Sequence, residues 1–451
     1  MKHSRLVTAV DTALADLGLP SAGQTIVVGL SGGADSVGLL DGLTTVARRR
    51  GFRVVAAHLD HGLRPEAAAD ALFCADLCTH LGVPFRAGRA DVAARARREG
   101  GGIEQAARLE RYAFLRAVRG EEGAVAVAVA HTRDDQAETV LLRLLRGSGR
   151  SGLSAMRART GDILRPLLGV SREEVRCHLR SRGLTWREDP SNADPAFQRN
   201  RVRHELMPYL ESRFNPRIGE TLARSAALLA DEAELLGSLA GGVYDRAARR
   251  EGEGVSLSRG GLAAAPPALR RLAVRRALDE TGGLRGVSAA LVERLLVLAG
   301  SAAPSGRRLA LPGGRVALFR FGDVWVGPRT EPRPAFAYPL AVPGRVELPG
   351  GVAVVAGPAE GRPASQGETA VVTAPEGEPL LVRTRRPGDR VWRHGRKMSL
   401  KRFFMEQRVP ADRRGALPLV AAGSEVLWVP GEPQEPGRGG RLVSLRLERS
   451  L

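Results

Sequence analysis

Cysteine is nearly absent: Cys74, Cys78 and Cys177 are the only three in the chain. They give no basis for a disulfide framework and make the cytoplasm the expected compartment. Long hydrophobic runs are missing too. The longest in the middle of the chain, residues 124–130, falls far short of the ~18 residues that read as a membrane span. Residues 1–19 are interrupted by Asp11 and Asp16 and read as an amphipathic helix, not a signal peptide. Aromatic residues make up only 4%, so few platforms exist on which nucleobases could stack. Lysine is confined to Lys2, Lys397 and Lys401, which leaves arginine to carry the positive charge.

Acid is also in deficit. Basic residues outnumber acidic ones 68 to 49, for a formal charge of +19 and a pI of about 11.2. A preference for Arg over Lys in a chain rich in Ala and Gly is what a GC-rich coding sequence produces, but such a bias does not produce the excess of base over acid. The field attracts polyanions, and nucleic acid is the expected partner, gripped through phosphates and arginine planes.

What is present is a well-patterned globular chain. Hydrophobic residues make up 43% of 451, enough for real cores, and at about 150 residues per domain the length suggests two to four domains. Strand-like runs at 25–30, 53–59, 83–86 and 124–130 alternate with helical patterns at 36–50, 66–81, 103–118, 134–146 and 172–182. That rhythm predicts an α/β fold with a doubly wound parallel sheet, whose ligands bind outside the carboxyl ends of the strands. A helical stretch follows over 215–298, then short β-like pieces over 307–326, a Pro-rich linker over 332–343 and a small β-rich C-terminal domain. The expected domains are 1–214, 215–331 (mainly helical), 332–370 (linker and short strands) and 371–451.

The densest signal is Ser31-Gly32-Gly33-Ala34-Asp35-Ser36, between an apolar strand and a helix start. A strand, a Gly-rich turn and a helix N-terminus make a phosphate cradle, with Ser31 and Ser36 adding hydroxyl donors. The lysine of a kinase-type P-loop is lacking. Asp35 stands in its place, and a carboxylate beside a triphosphate needs a cation between them, most simply Mg²⁺. Such a cradle suits ATP cleaved at its α-phosphate, with pyrophosphate leaving.

Other constellations surround it. In His131-Thr132-Arg133-Asp134-Asp135-Gln136-Ala137-Glu138, Asp134 is placed to cap a helix. Asp135 and Glu138 are three apart on one helix face, able to hold a metal or an ammonium or to take a proton. Arg108 and Arg111 share another helix face and could stabilise charge developing on a phosphate; the bland alternative is pairing of Arg108 with Glu104. His58 and His61 have no further ligand at metal spacing. Asp189-Pro190-Ser191-Asn192 makes a turn before Arg199-Asn200-Arg201-Val202-Arg203, a basic helix start suited to phosphate or base. Between Arg383 and Arg414, twelve Arg/Lys stand against Asp389, Glu406 and Asp412, a net +9 that includes Lys397 and Lys401. This reads as a polyanion-binding module.

Together these residues resemble the tRNA(Ile)-lysidine synthase family of PP-loop ATP pyrophosphatases. The resemblance rests on the Ser31–Ser36 loop, on Asp60-His61-Gly62-Leu63-Arg64-Pro65-Glu66, and on Asp134 through Thr139 continuing to Arg146-Gly147-Ser148-Gly149. It rests also on Arg199 through Leu206, and on Arg386-Pro387-Gly388-Asp389-Arg390 with Lys397 and Lys401. No departure occurs at these motif positions, and the middle region matches weakly. The resemblance implies adenylation by ATP of the C2 oxygen of the wobble cytidine in tRNA(Ile) with a CAU anticodon. Attack by the ε-amine of free L-lysine and loss of AMP follow. Ser31, Gly32, Gly33, Ala34, Asp35 and Ser36 would then hold ATP, with Asp35 on Mg²⁺. Arg111 would steady the phosphoryl centre, and Asp135 and Glu138 would hold lysine and take its proton. Arg108, second choice for steadying the phosphoryl centre, would bind substrate together with Arg201, Arg203, Lys397 and Lys401. A homodimer stays open. The alternatives are a PP-loop tRNA thiolase, which would need paired Cys-x-x-Cys motifs absent here, and a non-catalytic RNA-binding protein with a relic nucleotide fold.

Overall fold

The computed structural model describes residues 4–62, 67–99, 102–188, 197–301, 305–329, 334–349, 351–360, 364–393, 395–432 and 440–449. The chain divides into two compact units, Met1–Leu235 and Leu236–Leu451. Among the described residues, no helix is long and apolar enough to cross a membrane.

The first unit is built on β1 (Thr25–Gly29), β2 (Arg53–Asp60), β3 (Phe85–Arg89), β4 (Ala126–Ala128), β5 (Arg159–Thr160) and β6 (Ile163–Leu164). Their order is β3-β2-β1-β4-β6-β5, parallel throughout except for the antiparallel β5–β6 pair. Thr25 to Val28 are buried without alternation, as expected of a central strand covered on both faces. The helices are α1 (Arg5–Asp16), α2 (Ala34–Arg50), α3 (Ala67–Leu81), α4 (Val92–Glu99), α5 (Ile103–Glu121), α6 (Arg133–Leu145), α7 (Arg150–Leu153) and α8 (Arg172–Ser181). One core gathers Leu6 and Val10 of α1, Leu39 and Leu43 of α2, and Val175 and Leu179 of α8 against Ile26 and Val28. The other packs Leu115 and Val118 of α5 on Val27, Val55 and Val127. The sheet is thus doubly wound, as the alternating pattern predicts. Close packing of α2 on α8 needs Gly38, where a Cβ would lie 2.5 Å from Val175 Cγ1. The same contact is pinned by buried His178, 2.7 Å from both Asp41 Oδ2 and Ser4 Oγ.

The predicted strands and helices are displaced by a few residues at their ends, and α4 and the β5–β6 hairpin are additions. The run 124–130 contributes only Ala126–Ala128 to the sheet, which frees His131 and Thr132 at its carboxyl edge. After α8 come α9 (Gln198–Arg201), a π-helical turn over Val202–Leu206, α10 (Met207–Arg213) and α11 (Ile218–Ala247).

In the second unit a five-stranded antiparallel sheet runs in the order Ala248–Glu251, Gly254–Ser258, Asp323–Pro328, Arg315–Phe319, Arg308–Leu311. Pro267–Glu280 and Ala289–Gly300 are helices whose Ala273, Leu278 and Leu295 pack on its Phe319 and Val326. The hairpin Ala248–Glu251/Gly254–Ser258 interrupts the stretch that periodicity reads as helical; Gly252, at φ +59°, makes its turn. The Pro-rich segment also departs from a bare linker. Ala337–Leu340 pairs with Leu380–Arg383 at the edge of a six-stranded sheet, a position where Pro339 loses no ladder hydrogen bond. A second, five-stranded sheet has Arg441–Arg449 at its centre, and the helix Leu400–Glu406 buries Phe403 and Phe404.

Arg383 is one of the twelve basic residues of the C-terminal stretch, yet its side chain is fully buried. It forms a bidentate pair with Asp389 at 2.7 and 2.8 Å and also donates to the Gly423 carbonyl at 2.9 Å. It therefore braces the fold and offers nothing to a polyanion. Arg383→Ala strands Asp389 in the interior and should cost about 3–5 kcal/mol of stability in this unit. Urea unfolding of the full chain checks this, and a loss below about 1 kcal/mol would mean that the pair is replaceable.

Candidate active site

The turn after β1 begins with Ser31, whose N–H donates to Ser36 Oγ at 3.2 Å, while the Ser36 hydroxyl donates to the Gly33 carbonyl at 2.9 Å. Ser36 is buried and braces the loop from beneath; Ser31 is exposed. Gly32 holds φ +83°, with Cys74 Sγ 3.4 Å from where a Cβ would stand, so a side chain there meets both strain and a wall. Gly33 is the N-cap of α2 with no side-chain hydrogen bond to the first turn. The orphan N–H groups of that turn are left for an anion. His58, at the end of β2, lies beneath with Nδ1 2.9 Å from the Leu30 carbonyl.

Asp35 stands in the first turn of α2. Burial pushes its carboxyl up to about 6, the nearby Asp135 charge adds to this, and Arg172 opposes it. A carboxylate under such pressure fits a cation. Among the described residues no group of three or more His, Cys, Asp or Glu could hold a metal by itself. Mg²⁺, however, commonly binds through one or two carboxylates plus substrate phosphates and water, a donor set that Asp35 and an ATP in the loop would supply.

Across the sheet edge, Thr132 caps α6. Its N–H and hydroxyl donate to Asp135 Oδ2 at 2.8 and 2.9 Å, and its hydroxyl accepts from Asp135 N. This corrects the expectation that Asp134 is the cap. Asp134 Oδ2 instead accepts the Arg172 N–H at 2.9 Å, tying α6 to the start of α8. Asp135 and Glu138 do share a face, and three guanidinium groups converge on it. Arg172 bonds Glu138 Oε1 at 2.7 Å and makes a closer contact to Asp135 Oδ1. Arg199 reaches both carboxylates at 3.0 Å. Arg203 reaches Glu138 Oε1 at 2.7 Å and Asp135 Oδ1 at 3.4 Å. The Glu138 side chain is only 1% exposed. Burial drives both carboxyls up, but for Asp135 the charges of Arg172 and Arg199 outweigh it and hold the group at about 2. For Glu138, Arg203 and Arg172 bring a net lowering. In this arrangement Asp135 is a fixed negative charge with little appetite for a proton.

Arg172 also stands 3.7 Å from Asp35 Oδ2, so one side chain touches the phosphate loop and both carboxylates. Sequence reasoning did not single it out. The available signal was Ser171-Arg172-Glu173-Glu174, a capping box that puts an arginine in a helix's first turn. The macrodipole disfavours a cation there, so acids elsewhere must hold it. Arg199 was read only as part of a basic helix start. With Arg203, four residues on and in the π-helical turn, it faces the carboxylates, whereas Arg201 is exposed and outside the cluster. π-turns recur at functional sites.

Arg111 donates to His61 Nε2 at 3.1 Å. Arg108 lies 5.1 Å over the Tyr112 ring and forms no ion pair with Glu104. Residues 63–66 of the Asp60 motif and the turn 189–192 lie outside the described residues. In the second unit Lys397 donates to Glu425 at 2.6 Å, Arg402 pairs with Glu406, and Arg413 pairs with Glu251. Buried Arg414 donates to the Val409 carbonyl. Lys401 is exposed, and no ion pair joins it among the described residues. The net +9 therefore overstates the charge this stretch presents.

A PP-loop domain model matches residues 5–210, a TilS substrate binding domain model 257–323, and a TilS substrate C-terminal domain model 380–435. A tRNA(Ile)-lysidine synthase of Symbiobacterium thermophilum is 38% identical, over 92% of this chain and 91% of its own. One of Geobacter sulfurreducens is 38% identical over 92% and 90%. One of Thermus thermophilus is 39% identical over 90% of this chain and 68% of its own.

Proposed function

The chain belongs to the tRNA(Ile)-lysidine synthase family, and on that premise we propose that it joins the ε-amine of free L-lysine to C2 of the wobble cytidine in tRNA(Ile) with a CAU anticodon. It is a ligase that forms a carbon–nitrogen bond and carries a PP-loop ATP-binding domain. One observation carries the finer reading. Arg172 contacts Asp35 on one side and Asp135 and Glu138 on the other, so the loop suited to ATP and the carboxylates suited to an amine are parts of one site.

In this reading the N–H groups of α2 and the Ser31 hydroxyl hold the ATP phosphates. Mg²⁺, held by Asp35 and the phosphates, would neutralise charge on the departing pyrophosphate. Arg111 steadies the α-phosphate while the cytidine C2 oxygen attacks it. Asp135 and Glu138 then receive the lysine ammonium. All their oxygens are engaged by Arg172, Arg199, Arg203 and Thr132, so one guanidinium must give way. A triphosphate beside the cluster gives the arginines another anion to pair with. Arg199, whose side chain is 34% exposed, is the freest to exchange. Glu138 takes a proton from the ammonium, the amine so formed attacks C2, and the C2–O bond breaks as AMP departs with that oxygen. Residues 1–214 carry this chemistry, while 215–331 and 371–451 bind tRNA on either side of 332–370.

A thiolase would need a reactive pair of thiols. Cys74 and Cys78 are buried in α3, and burial pushes both up to about 12, which leaves them inert at neutral pH. Exchange of labelled pyrophosphate into ATP tests the enzyme reading: it is expected only with tRNA(Ile) present. RNA binding without exchange would favour a non-catalytic protein.

The C-terminal lysines make a graded prediction. Each phosphate contact contributes about 0.7–0.9 to the slope of log affinity against log salt. Lys401→Ala should lower the slope for tRNA(Ile) by about that amount. Lys397→Ala should change it less, because Glu425 already neutralises that ammonium. Titration at several salt concentrations checks this, and an equal effect of the two would show that Lys397 leaves Glu425 for RNA.

A further inference from the structure

Past α8 the chain runs back alongside the phosphate loop. Leu184 is buried in the core around Ile26 and Val28, and Trp186 packs against that core, whereas Thr185 and Arg187 are exposed. This alternation is that of an extended segment with one face on the core, and it turns Arg187 outward. The Arg187 N–H donates to the Gly32 carbonyl at 2.9 Å. Its Cγ stands 3.7 Å from where a Gly32 Cβ would be, and its Nε donates to Asp70 Oδ1 of α3 at 3.0 Å. The residue is thus tied twice, by main chain to the loop and by Nε to α3.

These ties leave one edge of the guanidinium open. Asp70 takes only Nε, and neither Nη has a partner among the described residues. The side chain is 43% exposed. Arg172, which also stands at the loop, spends both of its Nη groups on Glu138 and Asp135. Lys397 likewise has its ammonium on Glu425. Arg187 differs from both: its carboxylate orients it and leaves the Nη1–Nη2 edge for another anion. That edge is a planar fork matched to phosphate oxygens. A loop without the P-loop lysine still needs a cation for the terminal phosphates, and Arg187 is placed to supply one.

Topology says which phosphates. β2 and β4 pair with β1 on opposite sides. The helix that holds Arg187 through Asp70 is α3, which follows β2; the helix that carries Asp135 and Glu138 is α6, which follows β4. An ATP whose α-phosphate faces a cytidine at the carboxylates has its leaving half toward Asp70 and Arg187. We propose that Arg187 binds the terminal phosphates of ATP through its Nη groups and holds the pyrophosphate as it leaves. This rests on the cleavage of ATP at its α-phosphate proposed above and adds a contact to the leaving group.

The test is calorimetric titration of the full chain with α,β-methylene-ATP and, separately, with AMP, both in the presence of Mg²⁺. Arg187→Ala keeps the main-chain bond to Gly32 and removes only the guanidinium and its stem. It is expected to bind α,β-methylene-ATP about tenfold more weakly than wild type, as for loss of a charge-assisted contact, and to bind AMP as wild type does. Arg187→Lys, which keeps the charge without the fork, should recover part of the loss. The pyrophosphate concentration that half-saturates tRNA-dependent exchange should rise in Arg187→Ala by the same factor as the loss of analogue affinity. Equal affinity of Arg187→Ala and wild type for α,β-methylene-ATP overturns the contact and leaves the proposed reaction standing. An equal loss toward AMP also overturns it, because Arg187 then serves the nucleoside end or the shape of the loop. Wild-type protein that binds neither nucleotide overturns both readings.

Discussion

Asp35→Ala is expected to lose tRNA-dependent pyrophosphate release by about a hundredfold or more, since a metal at a phosphoryl centre contributes several kcal/mol. Affinity for tRNA should stay within about twofold, because its phosphate contacts lie elsewhere. The reason is local. Asp35 is the one carboxylate inside the loop, raised to about 6 by burial and by Asp135, and it gains most from a cation. Asp35→Asn, which keeps the shape, should be nearly as inactive. Unchanged turnover of Asp35→Ala at saturating ATP and Mg²⁺ would remove Asp35 from the ATP site.

Glu138→Gln should affect the two halves of the reaction unequally. The Glu138 carboxylate is buried and holds Arg172, Arg199 and Arg203. The amide removes one of two negative charges facing three cations and turns an N–H toward guanidinium. Lysine incorporation should fall by about 10²–10³, the scale for loss of a preorganised electrostatic contact. Pyrophosphate release should fall by about tenfold or less. Because breaking a buried ionic cluster can cost about 3–5 kcal/mol, the thermal midpoint must be measured alongside. A folded variant that loses both activities equally would place Glu138 at the ATP end of the site.

The strand–turn–helix around Ser31–Ser36 was legible because its signals are contiguous. Gly32, Gly33, Asp35 and Ser36 sit in one strand–turn–helix, and the doubly wound sheet follows from the alternation around it. The pairing of Asp135 with Glu138 was legible from helical spacing alone. Arg172 was not, since its partners lie 34 to 37 residues earlier and meet it only because α6 and α8 begin at the same sheet edge. Charge counting failed in the C-terminal stretch for a similar reason. Asp389 internalises Arg383, and Glu425, 28 residues away, occupies Lys397. Pro339 looked like linker because a single sequence does not reveal that its strand lies at a sheet edge.

If this site builds a lysine–cytidine bond at the expense of ATP, labelled lysine must end in the RNA. The direct measurement incubates the protein with ATP, Mg²⁺, isotopically labelled L-lysine and a tRNA(Ile) transcript bearing CAU, digests the RNA to nucleosides and records their masses. Label is expected in the wobble nucleoside, with the mass of cytidine plus lysine less one water, and AMP in equal amount. ATP cleaved to AMP and pyrophosphate with a different group on that nucleoside, or with no label in the RNA, would contradict it.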